Sequence, residues 1–436
     1  SGSFRPKVGL GILFLLLTGC ILLVIVPFLT PTVTSFIAAR SAKSMEFNKE
    51  AVASIAKSNA KFGMDLFSSV AKPEENLIMS SYSVSSVLNM ILPGAKGRTA
   101  SQIKQGLTIK DFDAVKNGFK DVLTLLKTNA SFTLNAANRI YYSDDNFLDK
   151  SYIRSTKEFF LAEPISMNFG QAEKSRTAIN QWVEEQTNKK IQKLIAPGSI
   201  DGNTKLVLVN AIYFKGDWQF KFDKSKTQKG DFHVSPRKIV QTDMMHSKGE
   251  YRMLHSVIDL KGASALDMPY KGMCLSMIFL LPIKHWDIHT KRYKHSSLSD
   301  LEKAISKVTD LNSILKFGQK TNVKVTLPRF KLESTIDLIK PLKQLGLTDM
   351  FDGSNADFSG MTGGTKSLYV SKAVQKAFVE VNEEGTEAAA ATAIIFASRS
   401  SRGKPEFRCD RPFMFLIRDN LTGMILFSGQ VTDPTK

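Results

Sequence analysis

The side chains most able to do chemistry in this chain are six histidines, three cysteines and an arginine set among serines near the C-terminus. Three of the histidines, His285, His289 and His295, fall within the basic stretch KHWDIHTKRYKH. A metal centre needs ligands that converge from fixed elements. This stretch instead has the composition of a solvated loop, so no metal site is expected. Neither HExxH nor CxxC occurs, and there is no GxSxG elbow or GxxxxGK[ST] phosphate loop. No cofactor is implied, and the expectation is that the protein is not an enzyme.

The segment 383–401, EEGTEAAAATAIIFASRSS, offers a different chemistry. As a strand it would turn Thr386, Ala388, Ala390, Thr392, Ile394 and Phe396 to one face. The first four are small enough to slip between two existing strands, and Ile394 and Phe396 would then bury apolar bulk. Gly385 supplies a hinge free of side-chain restriction. About 10–15 new ladder hydrogen bonds at about 1 kcal/mol net each would release on the order of 10 kcal/mol. The competing reading is a helical or linker segment begun by Ala388–Ala391.

The elements that must hold this segment are legible around it. Apolar residues recur at helical spacing over 43–69 (Val52, Ile55, Phe62, Leu66), 83–90, 114–128 and 172–194 (Ile179, Trp182, Val183, Ile191). Strand patterns follow at 206–214, 275–282, 323–332, 413–417 and 424–427, with 419–423 as hairpin chemistry. The run 368–381 is long and strand-like and feeds directly into the segment 383–401. Helices cluster early and strands late without βαβ alternation, which predicts an α+β domain on large antiparallel or mixed sheets.

The chain has 436 residues, 43% of them hydrophobic and 23% charged, so a folded core is expected and general disorder is excluded. Three cysteines cannot staple a chain of this length. Cys20 lies in an apolar run, and Cys274 and Cys409 are either two buried thiols or one disulfide. No charge falls between Lys7 and Arg40, and residues 8–26 are almost wholly apolar. Residues 1–45 therefore read as a cleaved signal peptide, a retained membrane anchor or, failing both, a core helix. A secreted, extracellular location is expected, with anchoring through 8–26 as the alternative. Sequons at Asn129 and Asn420 would make the protein a glycoprotein.

The ordered motifs carry a resemblance. They are Gly94-Ala95-Lys96-Gly97-Arg98-Thr99 with Gln102-Ile103, Ile179-Asn180-Gln181-Trp182-Val183 with Thr187, Lys190 and Ile191, and the run from Thr204 to Trp218, TKLVLVNAIYFKGDW. Pro328-Arg329-Phe330, Asp357-Phe358-Ser359, Arg411-Pro412-Phe413 and Phe427-Ser428-Gly429 complete them. Over roughly residues 62–432 the chain resembles a serpin, of an inhibitory and arthropod-like type. The resemblance implies a large central sheet, two further sheets and surrounding helices in one domain over 46–436. It also implies an exposed reactive-centre loop at about 383–405.

The family's activity is suicide-substrate trapping: a protease cleaves the bait loop, and the loop inserts into the central sheet. The usual loop length, counted from Glu383, puts the reactive bond at Arg399-Ser400, which suits a trypsin-like protease; Arg402-Gly403 is a second register. The hinge is Glu383, Glu384, Gly385, Thr386, Glu387, Ala388, Ala389, Ala390, Ala391 and Thr392, with no bulky or proline residue from Ala388 on. Ser80, Ser83 and Asn210 match the polar cluster under the opening sheet. Gln375 replaces its usual histidine, and Trp218 lies where the loop enters. A monomer forming a covalent complex with its protease is expected, with a non-inhibitory carrier or chaperone as the alternative and no nucleic acid partner. The net charge of +18 raises a heparin-like polyanion as partner, through Lys116, Lys120 and Lys127 or through Lys284, Lys291, Arg292 and Lys294, against simple solubilising charge.

Overall fold

The computed structural model of the chain describes residues 48–127, 131–287, 292–295, 297–308, 314, 318–386 and 405–436. The apolar run 8–26, Asn129, His289, Lys291 and the segment 387–404, with the expected reactive bond, lie outside them. The helix Lys49–Val70 is capped by Asn48, whose side chain accepts from the Ala51 amide, and it buries Val52, Ile55, Phe62 and Leu66 as its spacing predicts. Ser81–Ile91 is a fully buried helix that ends where Pro93 tightens the chain into a short 3-10 turn.

Two expectations fail at their boundaries for physical reasons. The helix expected over 172–194 stops at Gln186, because Asn188, Lys189 and Lys193 take left-handed backbone angles. Thr187 Oγ1 donates to the Val183 carbonyl and accepts from the Ile191 amide, folding the chain back under the helix. Ile191 and Leu194 are buried there all the same, so the apolar period survives without the helix. The strand expected over 323–332 is two strands, Gln319–Pro328 and Phe330–Asp337, in different sheets. Arg329 makes the crossing, its amide held by the Asp243 carbonyl.

One sheet has six strands in the order Phe330–Asp337, Val370–Val381, Gly385–Thr386, Leu206–Asp217, Phe132–Ser143, Ile165–Met167. The second has nine, among them Lys238–Val257, Gln319–Pro328, Leu275–Leu281, Phe413–Asp419 and Ile425–Val431. Asp419–Met424 closes the expected hairpin, with Gly423 at φ 77°. A two-stranded ribbon, Lys284–Asp287 with Arg292–His295, stands apart from both.

The strand Leu206–Asp217 shows why its sequence is apolar from Leu206 to Phe214 but for Asn210. Leu206, Leu208, Ile212 and Phe214 enter the main core. The alternate residues Val207, Val209, Ala211 and Tyr213 enter a smaller core closed by Ile179 and Val183 of the helix Ala172–Gln186. Both faces of the sheet are therefore covered at its centre. Phe47–Lys436 folds as one compact unit.

Candidate functional site

The two central strands of the six-stranded sheet run parallel, from Val370 opposite Leu206 to Phe378 opposite Tyr213. Beyond that point they part, and the fork holds Gly385–Thr386. Thr386 pairs antiparallel with Val381 on one side and with Gly216 on the other. The chain gets there by a tight reversal after Val381, in which the Asn382 amide donates to the Gly385 carbonyl at 2.9 Å and Asn382 Oδ1 accepts from the Glu384 amide at 3.0 Å. Gly385 sits at φ 150°, and a Cβ there would lie 2.1 Å from the Gly216 carbonyl oxygen. Only glycine fits this turn.

The far end of the same segment is tied elsewhere. Glu406–Arg408 adds to the edge of the nine-stranded sheet, parallel to Lys324–Thr326. Thr386 and Glu406 thus lie in different sheets.

Around the fork the reversal is pinned at every residue. Trp218 donates from Nε1 to the Asn382 carbonyl at 3.0 Å and from its amide to the Glu384 carbonyl at 2.8 Å; the Phe222 amide takes the Glu383 carbonyl at 2.9 Å. Arg329 Nε reaches both oxygens of Glu383, at 2.8 and 2.9 Å, and Thr227 donates to the same carboxylate. Lys221 and Lys224 pair with Glu384 at 2.7 and 3.0 Å. Burial by itself would raise both carboxyl pKa values, but Arg329 and Thr227 outweigh it at Glu383, and Lys221 and Lys224 at Glu384, so both are held below the usual carboxylate range.

Below the fork three amides lie in one row across three strands, since Asn210 is in register with Gln375 on one side and Asn138 on the other. Asn210 Nδ2 donates to Asn138 Oδ1 at 2.7 Å and to Ser83 Oγ, which donates in turn to Asn138. Gln375 Nε2 donates to Asn210 Oδ1 and, at 2.9 Å, to the Ser80 carbonyl; Gln375 Oε1 accepts from the Ser80 amide at 2.9 Å. Ser80 also caps the helix Ser81–Ile91 and donates to the Leu426 carbonyl. The row joins the two parallel strands through neutral groups alone.

Ser80, Ser83, Asn210 and Gln375 are thus brought together, and Trp218 sits at the fork. Of the expected hinge, Gly385–Thr386 is paired into the sheet and Glu383–Glu384 form the reversal before it, while Glu387 to Thr392 and Arg399-Ser400 lie outside the described residues. Sequence reasoning missed Asn138, Tyr270, Lys221, Lys224 and any role for Arg329. A polar residue inside the strand run NAANRIYY was the one signal for Asn138; the others act through contacts distant in sequence.

Lys116 and Lys120 both lie over the Phe159 ring, at 4.8 and 5.6 Å from its centroid. On the helix Phe112–Lys127, Lys116 pairs with Asp113 at 2.8 Å and Lys120 with Glu158 at 3.7 Å, while Lys127 is exposed. Lys284, Arg292 and Lys294 lie on the separate ribbon. Cys274 and Cys409 are free thiols, the latter buried. Asn420 spends both side-chain N–H groups, on the Met273 carbonyl at 3.0 Å and Ser276 Oγ at 2.8 Å, and a glycan, which replaces one of those hydrogens, would cost at least one of these bonds.

A six-stranded sheet forked at its parallel centre, with Gly385–Thr386 paired in the fork and Glu406–Arg408 paired at the edge of the other sheet, is the framework of this molecule. The chain belongs to the serpin (serine protease inhibitor) family, whose model matches residues 57–434. It is 41% identical to leukocyte elastase inhibitor A of Rattus norvegicus, over 87% of this chain and 99% of that protein. It is 39% identical to human serpin B3, over 87% and 100%. Among solved structures, Serpin48 of the insect Tenebrio molitor matches at a TM-score of 0.76 and 33% identity, covering 90% of this chain and 100% of its own. Native protease nexin-1 with heparin matches at 0.77 and 32%, covering 88% and 100%. The protein is a serpin and not an enzyme, as expected.

The expected location is corrected by the same relatives. The leukocyte elastase inhibitors, serpin B3 and serpin B6 are intracellular serpins lacking signal peptides, against the secreted or membrane-anchored location read from residues 8–26. Among the described residues no helix is long and apolar enough to cross a membrane. An apolar run at one end is weaker evidence of compartment than kinship along the whole domain.

Two outcomes are expected. Gln375→Leu strands the Ser80 amide and carbonyl and Asn210 Oδ1, and should lower unfolding free energy by about 1–3 kcal/mol in urea titration. The carboxyl clamp stabilises the fold above the ordinary glutamate value of 4.5 and loses that contribution as pH falls through the lowered folded-state values. Melting temperature should therefore drop less steeply in acid for Glu383→Gln/Glu384→Gln than for the unmodified protein.

Proposed function

We propose that this serpin inhibits trypsin-like serine proteases by suicide-substrate trapping at Arg399-Ser400. The observation that carries the reading is the parallel pair with Thr386 already between its strands. A strand entering there replaces one parallel pairing with two antiparallel ones, and antiparallel pairing is the more stable per residue. Ala388, Ala389, Ala390, Ala391 and Thr392 follow Thr386 and oppose no bulk to such entry. Residues 1–45 stand outside this mechanism; the inhibitory domain in this reading is 46–436.

The chemistry is that of an interrupted hydrolysis. The protease serine Oγ attacks the Arg399 carbonyl, the bond to the Ser400 nitrogen breaks, and the new amine leaves with a proton from the protease histidine. Arg399 is then held as an ester. Insertion competes with attack of water on that ester and carries the protease away before release. Arginine at this position suits a specificity pocket holding a buried acid, whereas elastase, named in the rat relative, has a small pocket. Kinship and bait residue thus point to different targets, and the bait residue is the one that enters the pocket.

A contact with a heparin-like polyanion is a second part of the reading, supported by the charge of +18 and by the likeness to protease nexin-1 with heparin.

Mixed with trypsin, the protein should give a covalent complex that survives SDS, and Arg399→Ala should abolish it; inhibition untouched by that change would place the reactive bond elsewhere. A nick after Arg399 should raise the melting temperature. Salt-dependent retention on immobilised heparin should weaken when the charges of 284–295 are removed, and retention that ignores salt would count against the polyanion.

A further inference from the structure

We infer that Tyr270 is a positioning residue of the trapping reaction: its hydroxyl holds Thr386 in the fork as a preformed first rung, so that loop insertion starts from a seeded strand. The inference rests on the trapping mechanism proposed above and adds a residue to it.

Tyr270 is fully buried beside the fork, at the end of the strand Ala263–Pro269 in the nine-stranded sheet. Its ring stacks on Trp218 with centroids 4.7 Å apart and planes 11° apart, and meets the Phe214 ring edge-on at 5.0 Å. Gly216, the residue opposite Thr386, lies under the same ring: a Cβ at Gly216 would come within 3.0 Å of Tyr270 Cδ1. The ring is thus locked on several sides before its hydroxyl is considered.

That hydroxyl lies 2.9 Å from Thr386 Oγ1, and Thr386 is itself fully buried. Two hydroxyls removed from water in this way satisfy each other, and losing one leaves the other stranded. The pair comes from different sheets, Tyr270 from the nine-stranded one and Thr386 from the six-stranded one, so it fastens the loop's first residue to a part of the molecule that need not move as the strands separate.

Insertion runs downward from this point. The reversal at Asn382–Gly385 already sets the direction and register of the entering strand. Residues after Thr386 extend a ladder rather than begin one, and extension orders fewer dihedrals per bond formed than initiation does. Because insertion races hydrolysis of the ester, detaching the first rung slows insertion while leaving the first attack at Arg399 alone. More inhibitor is then cut without trapping.

The test compares Tyr270→Phe, Thr386→Val and the double variant with the unmodified protein, all against trypsin. Phenylalanine keeps the stack on Trp218 and removes only the hydroxyl. Each single variant should raise the number of inhibitor molecules consumed per trypsin by about twofold to fivefold, with the rate of initial bond attack unchanged. The double variant should return towards the unmodified value, since neither hydroxyl is left stranded. Equal consumption in all four, or a double variant at least as wasteful as the worse single, would overturn the inference. Amide exchange at Gly385 and Thr386 in the uncut protein gives a protease-free arm, faster in each single variant and restored in the double; exchange that does not respond overturns the inference as well. Failure of the unmodified protein to form any SDS-resistant complex would instead strike the trapping mechanism itself.

Discussion

The parallel contact between Val370–Val381 and Leu206–Asp217 is the constraint on which the other features depend. Elsewhere in this sheet the long strands pair antiparallel, Phe330–Asp337 with Val370–Val381 and Phe132–Ser143 with Leu206–Asp217. The parallel seam is where a further strand would improve the pairing. The amide row of Asn138, Asn210 and Gln375 ties the seam below, and Trp218 with the clamped carboxylates of Glu383 and Glu384 closes it above. Both fastenings are hydrogen bonds and ion pairs at the seam; on one face the smaller core bridges it, with Val374 and Phe378 from one strand and Val207 and Tyr213 from the other. Separation would therefore break the parallel backbone ladder, these polar contacts and apolar packing on both faces, since Ala373 and Ala377 from one strand and Leu208 and Ile212 from the other also enter the main core.

Much of this was legible in the sequence, and for identifiable reasons. The run from Leu206 to Phe214, apolar but for Asn210, announces a strand buried on both sides. What escaped were the partners of Glu383 and Glu384. Glu383 and Glu384 read as acidic loop residues, yet they are nearly buried, because Arg329, Lys221 and Lys224 reach them from sequence positions more than fifty residues away. Local patterns carry no trace of such partners. Tyr270 was invisible for the same reason, and the break at Arg329 was hidden because alternation continues across it into a different sheet.

The apolar run at residues 8–26 taught the opposite lesson. It is the loudest local signal in the chain, and the location drawn from it disagrees with relatives that share almost the whole domain. Composition measures what a segment could do in a given solvent; it does not report which solvent the protein meets.

Gln375 has a consequence for where such a molecule could work. Its carboxamide takes the central place in the row with no proton to gain or lose in ordinary media. The carboxylates above it are held ionised to below their normal range. The readiness of the sheet to part should then be the same in a neutral fluid as in the mild acid of about pH 5 in which a histidine in that place would be charged. The spring is set to one tension from neutrality down to that mild acid.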